Sequence, residues 1–315
     1  MVTRWTVSIV AVAIAFLLAS CEQPAQTTTV AKAQPKIGVL LANHGSEQKS
    51  WRDMLVNLED SVRDRILANP NISSVKTAFM EYTEPSIATR MKEFDAEGYD
   101  EVIIVPLFIT VSGHTNTDIP HIVGLTHDQQ AVERLRDRDN IEVYQAKAKV
   151  TVTSTIDATQ FLTANIVRRA KKLLNGEDGK NFGVTLAAYG DKDFNQQWEA
   201  LMASVGESLM AETGIEMVNY AWSGHLVNYS IDPTRDAINQ VLAEKDGNIL
   251  ISVYVAYDYM FQKDIIGEAS RACDRPENVR YIEKEAILPD NDLNNWVVES
   301  IDEVFSVRKL ASADA

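Results

Sequence analysis

Five histidines occur in 315 residues, and two of them stand among other reactive side chains. His44 closes the segment 40–46 (LLANHGS), and His114 lies inside 105–120 (VPLFITVSGHTNTDIP). Between them, 78–87 (AFMEYTEPSI) carries Glu81 and Glu84 three residues apart. Imidazole and carboxylate are the working groups of acid–base chemistry, and neutral imidazole also suits first-row divalent ions. The ordinary use of a histidine at a strand end is a hydrogen bond to the next loop, and that reading stands beside the chemical one. Ser46 has no His–Asp relay and reads as a helix cap rather than a nucleophile. Asp118 and Pro120 read as loop-shaping residues, and His121 and His127 as surface or helix-terminal ones. The two cysteines exclude a disulfide framework and any multi-thiolate zinc or iron–sulfur site.

These side chains need elements that bring them together. The run 37–42 (IGVLLA) reads as a strand ending just before His44, followed by a helix over 47–67 with apolar residues at helical spacing (Trp51, Leu55, Leu58, Val62, Ile66). A second strand is expected over 75–80. Pro85 then suits the first position of a helix over 86–97 that stops at Gly98. The run 101–108 (EVIIVPLF) is almost continuously apolar, the mark of a strand buried on both faces of a parallel sheet. A charged helix over 127–138 precedes a further strand over 141–146. A helix over 157–174 then leads to the turn 175–179 (NGEDG).

After that turn the pattern repeats. Residues 182–188 (FGVTLAA) match the first strand, 191–212 the first long helix with Trp198 in place of Trp51, 215–222 the second strand, and 248–255 (NILISVYV) the run EVIIVPLF. Pro233 again opens a helix. Gly190 falls 145 residues after Gly45, and Asp264 falls 146 after Asp118, so the register barely slips. The expected fold is α/β: two similar doubly wound parallel-sheet domains facing a cleft, spanning 37–150 and 180–307, with a linking helix and turn over 151–179 and a tail over 308–315. Ligands of such folds bind beyond the carboxyl ends of the strands, which puts His44 and His114 on one rim.

The three segments, in this order and spacing, resemble the class II tetrapyrrole metal chelatases, specifically the sirohydrochlorin cobaltochelatase group. That group's pattern is a strand ending in His-Gly-Ser, then Phe-x-Glu-x-x-Glu-Pro-Ser, then Pro-Leu-Phe followed by Gly-His and Asp-Ile-Pro. The first half matches closely and the second half as a degenerate echo. The resemblance implies two α/β domains around a cleft and ATP-independent insertion of a divalent metal into a sirohydrochlorin-type ring, with cobalt first and nickel or iron as alternatives. It places metal binding and proton abstraction on His44 and His114, with Glu81 as the accompanying carboxylate. Glu84, three residues on, is the competing candidate for that carboxylate. A non-catalytic metal- or haem/tetrapyrrole-binding lipoprotein is the alternative.

The second half departs from the pattern. Tyr189 takes the place of His44 and Met260 that of His114, so a single metal site is expected. His225 (in WSGHLVNY) is the remaining imidazole and a candidate third ligand or cleft residue. Tyr257, Tyr259 and Met260 are candidates to contact the tetrapyrrole. Glu47 follows His-Gly-Ser where relatives often carry a basic residue. Lys49, Arg52 and Arg90 would then be the cations available to the carboxylates of a sirohydrochlorin-type ring.

Forty-five acidic residues against 30 basic ones give a net charge of −15, with no clustered basic patch, which argues against a nucleic acid partner. Residues 1–21 read as a bacterial lipoprotein signal: Arg4, a 13-residue apolar run over 7–19, and the lipobox-like Leu18-Ala19-Ser20-Cys21. Lipidation of Cys21, a polar tether over 22–36 and a membrane anchor facing the periplasm follow as expectations. Cleavage before Cys21 removes one arginine and no acid, leaving −16.

Overall fold

Strand β1 (Ile37–Asn43) is buried at every position. Its side chains divide by parity: Val39 and Leu41 join one apolar cluster, Leu40 and Ala42 another. That alternation is what a strand covered on both faces requires. The computed structural model describes residues 34–157 and 160–313. The signal segment, Cys21 and nearly all of the tether lie outside those residues. From Pro35 onward the chain forms one unit.

In the first half, β1 is followed by α1 (Lys49–Leu67), β2 (Ile72–Phe79), α2 (Ile87–Ala96) and β3 (Glu101–Pro106). The short helices α3 (Ile119–Ile122) and α4 (Gln129–Glu133) precede β4 (Lys149–Val152). Helix α5 (Gln160–Leu174) leads into the second half: β5 (Phe182–Ala188), α6 (Asn195–Thr213), β6 (Met217–Trp222), α7 (Asp232–Glu244), β7 (Gly247–Val253), α8 (Glu268–Arg271), β8 (Val279–Tyr281) and α9 (Asn291–Ala313). Each half holds one four-stranded sheet with all neighbours parallel, ordered β2-β1-β3-β4 and β6-β5-β7-β8. The strand order reverses between β1 and β3 and again between β5 and β7, the topological switch points where doubly wound folds bind ligands.

One continuous apolar cluster joins both sheets through α1 (Leu55, Leu58, Val62), α5 (Leu162, Ile166), α6 (Trp198, Leu201) and α9 (Leu293, Val297). The outer face of the first sheet is closed by α2 and α3, with Met91, Phe94 and Ile119 fully buried. That of the second is closed by α7 and the segment after β7, through Ile238, Leu242 and Ile266. Trp198 is core, as its spacing suggests, and Trp51 packs against that core.

Several local expectations shift. The apolar residues of 141–146 do not pair in the sheet: Tyr144 and Ala146 donate to the carbonyls of Ile122 and Val123 at the end of α3, and β4 forms instead from Lys149–Val152. Helix α2 starts at Ile87 with Ser86 as its cap, accepting from the Thr89 amide at 3.1 Å, so Pro85 precedes the helix rather than opening it. Ser46 is not the cap of α1, which begins at Lys49. Its hydroxyl accepts from the Gln48 amide (3.0 Å) and donates to Asp258 of the second half (2.6 Å). Helix α9 runs on to Ala313, through residues assigned to a tail, and Arg308 pairs with Glu101.

Candidate metal centre

Beyond its last residue, β1 keeps its hold on β2. The amide of Met80 donates to the Asn43 carbonyl and that of Glu81 to the His44 carbonyl, both at 2.8 Å, which sets His44 and Glu81 side by side. Asn43 is fully buried and fully used: its amide nitrogen donates to the Ala78 carbonyl (2.8 Å), and its oxygen accepts from Gly45 N (3.2 Å). Gly45 then turns the chain at φ +92°, where a Cβ would lie 2.2 Å from the Glu81 carbonyl oxygen. Only glycine takes that turn at this distance. Its counterpart Gly190 turns at φ +78° against Trp222.

His114 arrives from β3. Past Pro106 the chain stays extended, with Leu107 N donating to the Ala42 carbonyl (2.7 Å). Asp191 of the second half accepts from the Gly113 amide (3.2 Å), and His114 opens a π-helical turn, His114–Asp118. Such single turns recur at functional sites. Met260 opens the corresponding π-helical turn, Met260–Gly267, so the two halves share this detail.

The three side chains converge. Candidate ligand atoms of His44, Glu81 and His114 all lie within 4.8 Å of one another, the single such acidic or thiol-imidazole group among the described residues. The two imidazole rings are 4.9 Å apart at 71°, with the Phe108 ring 6.5 and 6.1 Å away. His44 Nδ1 lies 3.0 Å from the Gly45 carbonyl, and His114 Nδ1 lies 2.8 Å from Asp118 Oδ2. Both partners accept, so in the neutral ring each Nδ1 carries the proton and Nε2 is the atom left to face an ion. Asp118 is itself buried and held by Arg134.

The electrostatics favour an uncharged imidazole at position 44. Burial, aided by His114, lowers the His44 pKa to about 4, against the smaller pull of the Gly45 carbonyl and Asp118. Burial raises the Glu81 carboxyl, partly opposed by His114 and a bond from Tyr82. Burial also pushes Asp118 up, but the bonds from His114 and Arg134 outweigh it and hold the carboxyl below its ordinary value. The Tyr82 ring, exposed overall, stands 5.8 Å from His44, and the loss of water around its hydroxyl together with the nearby Glu81 carboxylate pushes that hydroxyl up to about 12.

The arrangement separates the candidates. Glu81 joins the group, while exposed Glu84 accepts from Ser86 N (2.6 Å). His225 lies outside the group: exposed on the turn after β6, it sits with its Nδ1 3.2 Å from the Tyr189 hydroxyl. Tyr257 packs by α1, its amide on Met54 Sδ, and Tyr259 receives a bond from Lys263 (2.7 Å). Among second-half rings, Tyr229 and Tyr189 lie close enough to Tyr82 that ionisation of one opposes ionisation of the other. Sequence reasoning missed Tyr82 and Tyr229, although one directly follows Glu81 and the other falls four residues after His225. It also gave Asp118 only a loop-shaping role.

Residues 38–173 match the CbiX family model. Among curated relatives, a sirohydrochlorin cobaltochelatase of Methanothermobacter thermautotrophicus is 37% identical over 92 residues, 29% of this chain and 61% of that protein. The chain thus spans less than two thirds of that relative's length. Two solved structures share the fold at 15% identity. SirB from Bacillus subtilis with Fe3+ has a TM-score of 0.61 over 85% of this chain and 95% of its own. SirB of the subspecies spizizenii in complex with cobalt has 0.58 over 85% and 94%. His44, Glu81 and His114 all fall inside the matched stretch.

Proposed function

We propose that the protein inserts a divalent metal ion into a tetrapyrrole. One observation carries this reading: two imidazoles with free Nε2 atoms and a carboxylate meet at a parallel-sheet switch point, inside the stretch that resembles chelatases. In this reading the ion is a substrate. His44 and His114 hold it through Nε2, and two imidazoles with one carboxylate suit cobalt, nickel or iron; cobalt is the ion assigned first. The ring must lose two pyrrole N–H protons as the ion enters. Glu81, whose carboxyl burial raises, is the nearby base that takes the first, passes it to solvent and then takes the second. Asp118 keeps His114 in the ligating tautomer while charge builds at the site. No nucleotide-driven step is part of the proposal. Lipidation of Cys21 and work at a membrane facing the periplasm complete it, on the strength of residues 1–21.

The test is to mix full-length protein with Co(II) and either sirohydrochlorin or a dicarboxylate porphyrin and follow the ring's absorbance. Conversion above the spontaneous rate, over many turnovers, supports insertion. A stoichiometric spectral shift without turnover overturns it in favour of a carrier.

A further inference from the structure

Five cations that could meet a polycarboxylate ring are held by neighbours, and exposed Lys192, beside Asp191, is the exception. Lys49 closes on Asp53 at 2.6 and 2.7 Å. Arg52 donates to the Ser46 and Glu47 carbonyls, and Arg90 to the Thr77 carbonyl and Glu93. Arg134 is tied to Asp118 and Asp139, and Lys263 to the Tyr259 hydroxyl. Asp118 and Asp139 share Arg134, so the carboxylates without a cation that bear on Tyr82 are Glu81 and Glu47.

Two tyrosines stand out in the same place. Tyr82 (φ +65°) and Tyr229 (φ +58°) both hold left-handed backbone, a conformation that side chains with a Cβ rarely adopt. Core packing does not explain the strain, because the two residues are 63% and 45% exposed. They come from opposite halves, each beside its half's version of the site. The Tyr82 ring lies near His44, while the Tyr229 ring lies 6.2 Å from the Phe261 ring, which itself packs 5.4 Å from Tyr189. Strained, exposed aromatic residues facing a site are a mark of ligand contact.

We infer, resting on the tetrapyrrole reading above, that the protein takes a flat tetrapyrrole with few peripheral carboxylates, gripped by Tyr82 and Tyr229 instead of by lysines and arginines. A ring with eight carboxylates meets Glu47 and Glu81 on a chain of net charge −15 and has, among the cations named, Lys192 alone to answer them. A ring with two carboxylates can point them to solvent and offer its faces to the tyrosines, where contact is governed by dispersion and the ring quadrupole.

The experiment titrates metal-free full-length protein with porphyrins carrying eight, four and two carboxylates (uroporphyrin, coproporphyrin, deuteroporphyrin), at low and high salt. The dicarboxylate should bind at least about tenfold tighter than the octacarboxylate at low salt, with the gap shrinking as salt screens the rim. Tyr82→Gly and Tyr229→Gly relieve the backbone and should fold at least as well as wild type, yet each should weaken dicarboxylate binding about tenfold. Tyr→Phe at either position should retain it. Glu47→Lys should improve the octacarboxylate selectively. If the octacarboxylate binds tightest, or the glycine variants bind as wild type does, the inference falls and metal insertion stands. If no ring binds while Co(II) still does, the tetrapyrrole reading falls with it.

Discussion

Acid should destabilise the metal-free fold through His44 in particular. The imidazole has a folded-state pKa near 4 against 6.5 for an ordinary histidine, because burial and His114 both oppose its charging. The folded value is the lower one, so the unfolded chain takes up the proton first. Stability linked to His44 is intact above pH 6.5 and is lost as pH falls toward 4. Between pH 7 and pH 5 the two values give a loss of about 2 kcal/mol from this residue alone. His44→Gln removes the titration and keeps a neutral side chain of similar reach. Urea unfolding in the presence of a chelator, at both pH values, should show wild type losing about 2 kcal/mol more than the variant across that interval. The ring C–H resonance of His44 should titrate with a midpoint near 4 in the same protein. Equal losses in the two proteins, or a midpoint near 6.5, would refute the assignment of a desolvated neutral imidazole.

Three further outcomes are expected. Asp118→Asn should leave the fold intact but weaken Co(II) affinity by about 10–100-fold, read by calorimetry, because His114 loses the carboxylate that orients it. Gly45→Ala drives a Cβ to 2.2 Å from the Glu81 carbonyl at a φ of +92°, so it should cost about 1–3 kcal/mol or more in thermal or urea unfolding and weaken metal binding too. Cys21→Ser should leave the protein unprocessed or release it from membranes on fractionation; a variant that still sediments with membranes at the mature mass defeats the lipid-anchor proposal.

Much of the first half is legible in the chain because its signals are local and strong. EVIIVPLF is apolar at nearly every position and becomes β3, buried throughout, and the strand-end placement of His44 follows from IGVLLA. The internal repeat announces two sheets, and the matching strand orders express it. What stays hidden depends on partners distant in sequence. The apolar residues of 141–146 look like a strand, yet the sheet pairs with Lys149–Val152, since the preceding segment is held by carbonyls at the end of α3. Ser46 looks like a cap until Asp258, 212 residues on, claims its hydroxyl. Glu81 and Glu84 cannot be told apart by spacing. The turn after β2 decides, carrying one to the histidines and the other to Ser86. No residue type announces that Tyr82 and Tyr229 will hold positive φ, because tyrosine has no preference for it.

Binding of one divalent ion by His44, His114 and Glu81 together is the expectation on which the proposed function depends. It is tested most directly by calorimetric Co(II) titration of the full-length protein at pH 7, beside His44→Ala, His114→Ala and Glu81→Gln. Wild type should bind one equivalent. Each histidine variant should lose more than about 100-fold in affinity and Glu81→Gln about tenfold, with the folds unchanged by circular dichroism. One equivalent bound with wild-type affinity by both histidine variants would contradict the account.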